Sequence, residues 1–396
     1  MLVSESLSSW ENLLKVAKEN TSSQWILRPN QSPSSAPISS HLQNLNEDEK
    51  PPILLYRDTN HWCPFCERIW FALEELKIPF EVEFIDLGNK PKWYLEMIPT
   101  GLVPAVKIGD EIIYESKDIL LAIEAKFEPS LLPKDPEEKK VALAEIEACE
   151  QKGLGTAGYE FMQGKSFSKE KKDVSSSDFQ AVFETKLNEI ETLLAKYPGP
   201  YFMSDFSLVD IMYSPSLSRF AANLPVFRGY DLRGNDRYPN LNLWFEAIEQ
   251  RPAYGIIRSD SITKNLVLRE VFGLQPLKNA EIRVSSTPEV TESQRMEAAA
   301  KLSANHKAII ADIIKNSGIK TIKAENIEAT IDFYLRLLAE YLINGAIATT
   351  KDPSQKAIGA VALAYLRNRV CSPRDMTADA AIAFRSGIDR LIASIY

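Results

Sequence analysis

The spacing of apolar side chains divides the chain into a mixed region and two helical regions. Residues 53–58 form a short apolar run, and 63–78 place apolar side chains three and four positions apart, the period of a helix with one buried face. Residues 80–87 alternate apolar and acidic side chains, as a half-buried strand does. Two strand-like runs then flank a Gly-Asp turn within 101–116, and another helical pattern follows. This order, βαβ then ββα, predicts a thioredoxin-like domain over 51–130.

Beyond residue 136 the strand signals end, and the apolar stripes have helical spacing. Residues 136–275 predict an all-α domain, in which Ser207 and Asp210 are spaced as two side chains that cap a helix start. A segment with two prolines and few core residues, 274–293, separates this domain from an all-α extension, 276–396. The extension is predicted to contain four helices, at about 293–315, 324–344, 354–369 and 376–395.

The first fifty residues combine one short amphipathic helix with a linker. Residues 9–19 place Trp10 and Leu13 on one helical stripe, which we expect to pack on the body of the protein. Residues 31–40, "QSPSSAPISS", carry no helix signal and few core residues. The predicted fold class is therefore α+β multidomain, with domains at 1–50 (helix and Ser/Pro-rich linker), 51–130 (thioredoxin-like), 136–275 (all-α) and 276–396 (helical extension).

Composition narrows the classes of partner and compartment. The 396 residues carry a net charge of −8 at pH 7, so a cationic surface for nucleic acid or an anionic membrane is not expected. No run of 18 apolar residues occurs, and the acidic first twenty residues resemble neither a signal peptide nor a transit peptide. Four cysteines in so long a chain indicate a reducing compartment rather than a disulfide framework. We therefore expect a cytoplasmic protein with small-molecule or protein partners.

The stretch "HWCPFCERIW" (61–70) places two cysteines one helical turn apart at the predicted strand-to-helix junction. Cys63, as the last residue before the helix, would hold its sulfur near unpaired N–H groups at the positive end of the helix dipole, which favours the thiolate. Pro64 suits the first helical turn because it needs no N–H partner. Cys66 falls one turn later and further from solvent. The pair predicts a redox site in which Cys63 attacks and Cys66 resolves.

Two other interpretations of this Cys-x-x-Cys pair remain open. It can supply half of a zinc site, but the other cysteines and histidines are scattered without ligand spacing, so no metal is expected. Free cysteines are also common in hydrophobic cores, where they have no chemical role. His61 is expected to be an exposed loop histidine rather than a base, because a thiol activated by a helix needs no base.

Three further segments add groups that could bind a peptide. Pro104 in "LVPAV" is a candidate for a cis peptide bond that lets Val103 present its backbone N–H and C=O to an extended ligand. In "YESKDI", Ser116 and the N–H groups of the next helix predict a carboxylate pocket, and Glu115 could meet an ammonium group. Lys90 offers a cation for another carboxylate. Together these groups fit the short zwitterionic thiol peptide glutathione; singly, Lys90 also fits a solvated loop charge and Ser116 a helix cap.

The stretch from 53 to about 250 resembles the cytosolic glutathione transferases, in particular the cysteine-type omega and lambda classes and the dehydroascorbate reductases. "CPFCERIWFALEELKIPFEVEFIDLGNKPKWYLEMIPTGLVPAVKIGDEIIYES" is similar to the omega pattern almost throughout. The resemblance implies glutathione as the co-substrate and Cys63 as the catalytic cysteine. The residues expected to bind glutathione, from the resemblance and the motifs together, are Phe65, Lys90, Val103, Pro104, Glu115 and Ser116.

A pocket for an electrophile is expected in the helical domain. "RYPNLNLWFEAIEQRP" resembles the omega helix whose tryptophan lines that pocket, which points to Trp244, and the helical domain offers Tyr159, Phe161 and Met162 as further apolar lining.

Two features depart from the omega and lambda classes. Many members have Ala or another residue where Cys66 stands, so the pair looks more like a dithiol glutaredoxin. The region 276–396 has no counterpart in those classes. A homodimer is the assembly to test.

Three functions are compatible with these residues. The first is a glutathione-dependent thiol transferase that acts on a small-molecule or protein disulfide through a mixed disulfide at Cys63, with deglutathionylation and dehydroascorbate reduction as its reactions. The second is a glutathione transferase that conjugates a small electrophile or removes glutathione from it reductively. The third is a non-catalytic binding or assembly module that docks through the extension.

Overall fold

The computed structural model describes residues 7–20, 50–151, 153–167, 176–278, 290–319, 326–346 and 353–395. The predicted linker 31–40 and the central part, 279–289, of the predicted linker 274–293 lie outside these residues. The strands are β1 (Ile53–Asp58), β2 (Phe80–Ile85), β3 (Ala105–Ile108) and β4 (Glu111–Tyr114). The helices are α1 (Trp10–Glu19), α2 (Pro64–Glu75), α3 (Lys92–Met97), α4 (Ser116–Lys126), α5 (Pro136–Gln151), α6 (Leu154–Gln163), α7 (Ser176–Leu194), α8 (Leu208–Arg228), α9 (Pro239–Glu249), α10 (Pro252–Ile257), α11 (Ser261–Glu270), α12 (Glu292–Asn316), α13 (Ile327–Asn344), α14 (Pro353–Arg369) and α15 (Ala378–Ile395).

The four strands form one mixed sheet in the order β2-β1-β3-β4. β1 and β2 are parallel, with Ile53 opposite Phe80, and α2 forms the crossover between them. β3 runs antiparallel to both β1 and β4, and Gly109, at φ +60°, lies in the tight turn between β3 and β4. The predicted thioredoxin-like order is confirmed, and the short helix α3 precedes β3.

Helix α2 has little exposed surface. Its residues from Cys66 to Glu74 are all buried, because the helix packs against α4, α8 and α10 as well as belonging to the βαβ unit. This packing fixes the position of the first turn of α2, where the cysteine pair lies.

Helix α8 begins with the capping box that the sequence predicted. The hydroxyl of Ser207 accepts a hydrogen bond from the backbone N–H of Val209 at 3.3 Å, and Asp210 accepts one from the N–H of Ser207 at 2.9 Å. Asp210 is fully buried and also accepts hydrogen bonds from Trp244 Nε1 and the N–H of Phe202. Burial raises the pKa of Asp210 to about 6, because these hydrogen bonds offset only part of the desolvation.

The described residues divide into two compact units. The sheet unit comprises the described residues of Ile38–Ile257 and Lys264–Ser285, and the terminal unit those of Met1–Pro37, Arg258–Thr263 and Ser286–Tyr396. No described helix of either unit is both long enough and apolar enough to cross a lipid bilayer.

Helix α1 completes the core of the terminal unit. Leu13 and Ala17 are buried in one cluster with residues of α12, α13, α14 and α15. The ring of Trp10 stacks on His306 with 4.5 Å between centroids, and its Nε1 donates a hydrogen bond to Asp332 at 2.7 Å. The four predicted helices of the extension are confirmed. The partner of α1, which the sequence left as the body of the protein, is this helical extension.

A buried ionic cluster ties the segment before α11 to the helices of the terminal unit. Arg385 Nη1 lies 2.6 Å from Asp260 Oδ1, and the Ser372 hydroxyl donates to Asp260 Oδ2 at 2.5 Å. Arg385 also donates to the hydroxyl of Thr263 at 3.0 Å. Burial alone would raise the pKa of Asp260, but Arg385 and the two hydroxyls outweigh burial and lower it.

Candidate functional site

Cys63 lies where the loop after β1 enters α2. Its backbone is extended, at φ −63° and ψ 118°, and Pro64 is the first helical residue, as the sequence predicted. Cys63 is the residue directly before α2, and the N–H groups of Phe65 and Cys66 in the first turn of the helix act on its sulfur. The Sγ lies 3.6 Å from the carbonyl oxygen of Val103, to which the thiol donates a weak hydrogen bond. Cys63 is also partly exposed.

The two thiols of the pair differ in their preferred charge. The S–H of Cys66 donates a hydrogen bond to Cys63, and this bond is the largest cause that lowers the pKa of Cys63, against burial and the nearby Asp58. The N–H groups of Phe65 and Cys66 lower the Cys63 pKa further. Burial raises the pKa of Cys66 well above its ordinary value. The Cys66 thiol therefore contributes to the lowered pKa of Cys63, and the position of Cys63 at the helix start did not by itself predict this contribution.

The loop before β3 holds its backbone beside Cys63. The peptide bond between Val103 and Pro104 is cis, as the sequence predicted. The buried hydroxyl of Tyr94 donates a hydrogen bond to the carbonyl of Leu102 at 2.6 Å and so fixes this loop. The backbone of Val103 is thereby placed next to the reactive sulfur.

Lys90 and Phe65 lie at the edges of this site. The Nζ of Lys90 lies close to Gly101 in the same loop. A Cβ built on Gly101 would be 3.9 Å from this nitrogen. In the part of the chain that the structure describes, no carboxylate forms an ion pair with Lys90, so its charge is available to an anionic ligand. Phe65 is 44% exposed, and its ring centroid lies 5.1 Å from the guanidinium carbon of Arg68.

Arg68 is a site residue that the sequence patterns did not reveal. The structure makes Glu115, at φ +73°, the residue before α4, and Ser116 the first helical residue, with no side-chain cap on the helix. The Ser116 hydroxyl instead accepts a hydrogen bond from Arg68 Nη1 at 3.1 Å. Arg68 is itself held by Glu150 and by the carbonyl of Met212. The predicted carboxylate pocket therefore combines the Ser116 hydroxyl, the buried guanidinium of Arg68 that donates to it, and the N-terminus of α4.

Arg219 of α8 fixes the loop that precedes Cys63. Its Nη2 donates to the carbonyl of Trp62 at 2.7 Å, and its Nη1 pairs with Glu67 Oε2 at 2.8 Å. Both side chains of this pair are largely buried. The only sequence signal for Arg219 and Arg68 is a charge within an otherwise apolar helical segment, and this signal is also typical of a solvated helix face.

Three of the four residues expected to line an electrophile pocket are buried in the structure. Trp244 is 1% exposed and donates its Nε1 to Asp210 at 2.9 Å, and Phe161 and Met162 are also buried in the helical core. These three side chains pack within the helical domain, and their place in an electrophile pocket stays a prediction. Tyr159 alone is partly exposed, and it lies close enough to Cys63 for the two to interact electrostatically.

The expectation of an exposed His61 is wrong. Its ring stacks on Phe84 with 5.4 Å between centroids and meets the edge of Trp70 at 5.2 Å. An apolar strand residue and an apolar helix residue therefore cover the imidazole, and His61 is a packing residue in the loop that precedes Cys63.

The other two cysteines lie in settings that favour the thiol or bury it. Burial raises the pKa of Cys149 to about 11. Cys371 is buried in the terminal unit. Among the described residues, no group of three or more His, Cys, Asp and Glu side chains is placed to hold a metal ion. Thiolate chemistry in the described part of the chain is therefore favoured at Cys63.

Known proteins match the regions that build this site. The model of the family described as "Glutathione S-transferase, N-terminal domain" matches residues 62–126, and "Glutathione S-transferase, C-terminal domain" matches 160–247. The chain is 32% identical to Protein IN2-1 homolog A of Oryza sativa subsp. japonica over 227 residues. These aligned residues cover 55% of this chain and 87% of the relative.

Two Arabidopsis thaliana proteins are also similar. Glutathione S-transferase L3 is 30% identical over 207 residues, which cover 51% of this chain and 81% of the relative. Glutathione S-transferase DHAR3, chloroplastic, is 25% identical over 202 residues, which cover 50% of this chain and 70% of the relative. Both family models lie in the sheet unit, and the resemblance of the cysteine motif and its following strands is confirmed. The chain belongs to the glutathione S-transferase family.

Proposed function

We propose that this glutathione transferase is a glutathione-dependent thiol transferase that acts through the Cys63 thiolate. The observation that carries the proposal is the paired setting of Cys63 and Cys66. The first sulfur lies at the start of α2 with a lowered pKa, and the second is a buried thiol that donates to it. A thiolate is the reactive form in disulfide exchange, so Cys63 is the nucleophile.

The proposed reaction consists of two exchange steps. In the first, the Cys63 thiolate attacks the glutathione sulfur of a mixed disulfide between glutathione and a substrate thiol. A bond forms between Cys63 Sγ and the glutathione sulfur, and the substrate sulfur leaves and takes a proton from solvent. In the second, the thiolate of another glutathione attacks the glutathione sulfur on Cys63. Oxidised glutathione leaves, and the Cys63 thiolate is regenerated.

The groups around Cys63 suit the parts of glutathione. The N–H and C=O of Val103 can pair with the extended backbone of its cysteine residue. The start of α4, with the Ser116 hydroxyl and Arg68 behind it, favours one carboxylate. Lys90 favours the second carboxylate, and Glu115 favours the ammonium group.

Cys66 has a different role in this proposal from the one that its spacing suggests. Because burial raises its pKa, Cys66 is protonated at neutral pH and attacks a mixed disulfide slowly. Its S–H instead stabilises the Cys63 thiolate, and a second glutathione completes the cycle. Dehydroascorbate enters by another first step: the Cys63 thiolate adds to a carbonyl carbon of dehydroascorbate, and a glutathione thiolate then attacks the Cys63 sulfur and releases ascorbate, which takes two protons. The Cys63–glutathione disulfide that remains is resolved by a second glutathione as above.

The test is turnover of hydroxyethyl disulfide and of dehydroascorbate with glutathione. Cys63→Ser should abolish both reactions because it removes the thiolate, and Cys66→Ser should keep a monothiol rate. Cys371→Ser is the matched control and should behave as the unaltered protein. Full activity of Cys63→Ser would overturn the proposal, as would inactivity of the unaltered protein in every glutathione assay, which would favour the non-catalytic module.

Conjugation of glutathione to an electrophile is the second candidate. It is favoured by the exposed apolar side chains that border the site, since Phe65 is 44% exposed and Leu102 is 58% exposed. A chlorinated aromatic substrate distinguishes the two, because conjugation faster than disulfide reduction would replace thiol transfer as the main activity. A cytoplasmic location belongs to the same proposal and is tested by cell fractionation.

A further inference from the structure

The backbone of Trp62, the residue directly before Cys63, is held by two charged side chains. Asp58 Oδ2 accepts a hydrogen bond from the Trp62 N–H at 2.6 Å, and Arg219 Nη2 donates to the Trp62 carbonyl at 2.7 Å. Asp58, the last residue of β1, is buried, and Arg219 of α8 is largely buried. Hydrogen bonds to charged groups are stronger than those between neutral groups. An anion from the sheet and a cation from the helical domain therefore form a clamp on Trp62.

This clamp fixes the direction of the Cys63 side chain. The Trp62 carbonyl and the Cys63 N–H belong to one planar peptide group, so a fixed carbonyl also fixes this N–H. The Cys63 carbonyl accepts a hydrogen bond from the N–H of Glu67 at 3.1 Å, which fixes the next peptide plane. With both planes fixed, the backbone angles of Cys63 have one setting, which places its sulfur 3.6 Å from the carbonyl oxygen of Val103.

Arg219 joins the clamp to the first turns of α2. Its Nη1 pairs with Glu67 Oε2 at 2.8 Å and donates to the carbonyl of Pro215, in its own helix, at 2.9 Å. One planar guanidinium thus contacts the loop, α2 and α8. A lysine has no such rigid fork of donors. The loop before Cys63 therefore keeps one position relative to both helices.

The two residues of the clamp act on the Cys63 thiolate with opposite signs. The hydrogen bond from Cys66 has the largest effect on the pKa of Cys63, which it lowers, and the Asp58 carboxylate raises this pKa. Burial alone would lower the pKa of Arg219, but the anions around it, Glu67 first and Cys63 among them, raise it. The same attraction means that Arg219 favours the thiolate of Cys63 over the thiol.

Titratable groups from five elements interact with Cys63. They are Asp58 of β1, Cys66 of α2, Tyr94 of α3, Tyr159 of α6 and Arg219 of α8. Burial raises the pKa values of Cys66 and the two tyrosines, so these three are uncharged at neutral pH. Asp58 and Arg219 are the two of the five that hold the backbone of Trp62, and they carry opposite charges.

We propose that Asp58 and Arg219 are positioning residues for the reaction at Cys63, which act through Trp62 and of which Arg219 favours the thiolate and Asp58 opposes it. The inference rests on the proposed thiol transfer and adds a control of its nucleophile. The nucleophilicity of a thiolate falls as the pKa of its thiol falls, and the best attacking thiol has a pKa near the working pH. Asp58 therefore limits how far Cys66, the helix start and Arg219 lower the pKa of Cys63.

Asp58→Asn separates the charge of Asp58 from its contact, because an amide oxygen can still accept from the Trp62 N–H. In the full-length protein this variant should lower the midpoint of the pH dependence of Cys63 alkylation by about one unit. A merely structural role predicts the opposite sign, because a loosened loop moves the sulfur away from its donors. Arg57, whose Nη2 lies 3.7 Å from Asp58 Oδ1, keeps its position over the ring of Trp70.

Arg219→Met tests the other half of the clamp. It removes the cation together with its contacts to Trp62, Glu67 and Pro215. The alkylation midpoint of Cys63 should rise by about one unit, and turnover of hydroxyethyl disulfide with glutathione should fall about tenfold to a hundredfold. Arg219→Lys restores the charge without the planar fork, so its midpoint should return toward that of the unaltered protein while turnover stays low.

Arg251→Met is the matched control for Arg219→Met. Arg251 Nε lies 3.1 Å from Oε2 of Glu75, the last residue of α2, so this variant breaks a partly buried ion pair at the opposite end of the same helix. Its alkylation midpoint should equal that of the unaltered protein. If Arg219→Met does not fold, Asp58→Asn and Arg219→Lys keep the test decisive.

Two results would overturn the clamp: a midpoint in Asp58→Asn that is unchanged or raised, and equal midpoints in Arg219→Met and Arg251→Met. Alkylation reports on the Cys63 thiol even in a protein without turnover. Opposite shifts in Asp58→Asn and Arg219→Met, in a protein that is inactive in every glutathione assay, would support the clamp and overturn the proposed thiol transfer.

Discussion

Cys63 and Cys371 both lie at a helix end near a proline, but the two helix ends have opposite polarity. Cys63 directly precedes the N-terminus of α2, where the unpaired N–H groups carry partial positive charge. Cys371 follows the C-terminus of α14, which ends at Arg369, where unpaired carbonyls carry partial negative charge. The Cys63 sulfur has thiol and amide donors beside it, whereas the Cys371 sulfur donates to the carbonyl of Ser372 at 3.9 Å.

The surroundings of the two loops follow the same contrast. The Cys371 loop is fixed by hydrogen bonds of its backbone and side chains: the Cys371 N–H donates to Asp375 at 2.8 Å, and Ser372 donates to the buried Asp260. The Cys63 loop is fixed by Arg219 at the neighbouring carbonyl, which leaves the sulfur partly exposed. The direction of the helix and the access to the sulfur therefore distinguish these two cysteines more than the neighbouring proline does.

The largest expected difference is in alkylation. At pH 7, iodoacetamide should modify Cys63 about a thousandfold faster than Cys371, because the Cys63 sulfur is partly exposed and its lowered pKa increases the thiolate fraction, whereas Cys371 reacts only when its buried loop opens. Mass spectrometry of digested samples taken over time measures both rates in one protein. The denatured chain, in which the two rates should converge, is the control. Similar rates in the native protein would remove the basis of the comparison.

The ionic cluster under the Cys371 loop should be the more costly of two ion pairs to break. Asp260→Asn leaves Arg385 buried without its anion and should lower the stability of the terminal unit by about 3–5 kcal/mol. The matched control is Asp389→Asn, which breaks a pair with Arg367 in which the carboxylate is 50% exposed and should cost less than about 1 kcal/mol. Hydrogen exchange of α14 and α15 reports both values. A loss at Asp260 as small as that at Asp389 would show that this cluster does not hold the loop.

The pH dependence of stability should differ between two buried carboxylates, one in each unit. The pKa of Asp210 is raised to about 6, so the folded state binds its proton more tightly than the unfolded chain does, and stability falls as pH rises from about 4 to 6. The pKa of Asp260 is lowered, so its contribution is present above the ordinary aspartate range and is lost as pH falls below it.

Asp210→Asn isolates the first of these effects. Relative to the unaltered protein, the variant should gain roughly 2–3 kcal/mol of stability between pH 4 and pH 7, because it does not pay for a buried charge at the higher pH. Denaturant unfolding at both pH values measures the difference. A constant difference across this range would mean that Asp210 titrates normally.

The smallest expected effect is on the pKa of Cys63 itself. Cys66→Ala removes the S–H donor and should raise the Cys63 pKa by about one unit, whereas Cys66→Ser keeps a hydroxyl donor and should shift it less. The pH dependence of alkylation gives the midpoint for each variant. Midpoints in both variants equal to that of the unaltered protein would assign the lowered pKa to the helix N-terminus alone.

The parts of the fold that depend on local periodicity could be predicted from the sequence. The βαβ and ββα order, the four helices of the extension and the capping box at Ser207 all follow from spacing within one element. The position of Cys63 and the cis bond before Pro104 follow from short motifs. In these cases the physical cause lies within a few residues of the observed structure.

The remaining features depend on contacts between residues far apart in the chain. Glu67 and Arg68 are both 5% exposed, although helical spacing from Phe65 and Ile69 would place them outside the apolar stripe. Each is buried because it meets a partner on another element, Arg219 or Ser116. For Trp244, the sequence shows an aromatic residue on a helix but not which neighbour covers it. The same limit applies to α1, whose stripe predicts burial without naming the extension as its partner.

The discontinuity of the terminal unit sets the order in which its parts become available during synthesis. Helix α1 ends at Glu19, but the first extension helix against which it packs begins at Glu292. At about 5–20 residues per second, α1 is synthesised roughly 14–55 s before that helix begins to be made. The first and larger part of the sheet unit, Ile38–Ile257, is synthesised during this interval. The terminal unit can therefore assemble only after most of the sheet unit has been made, from segments that lie on either side of it in the chain.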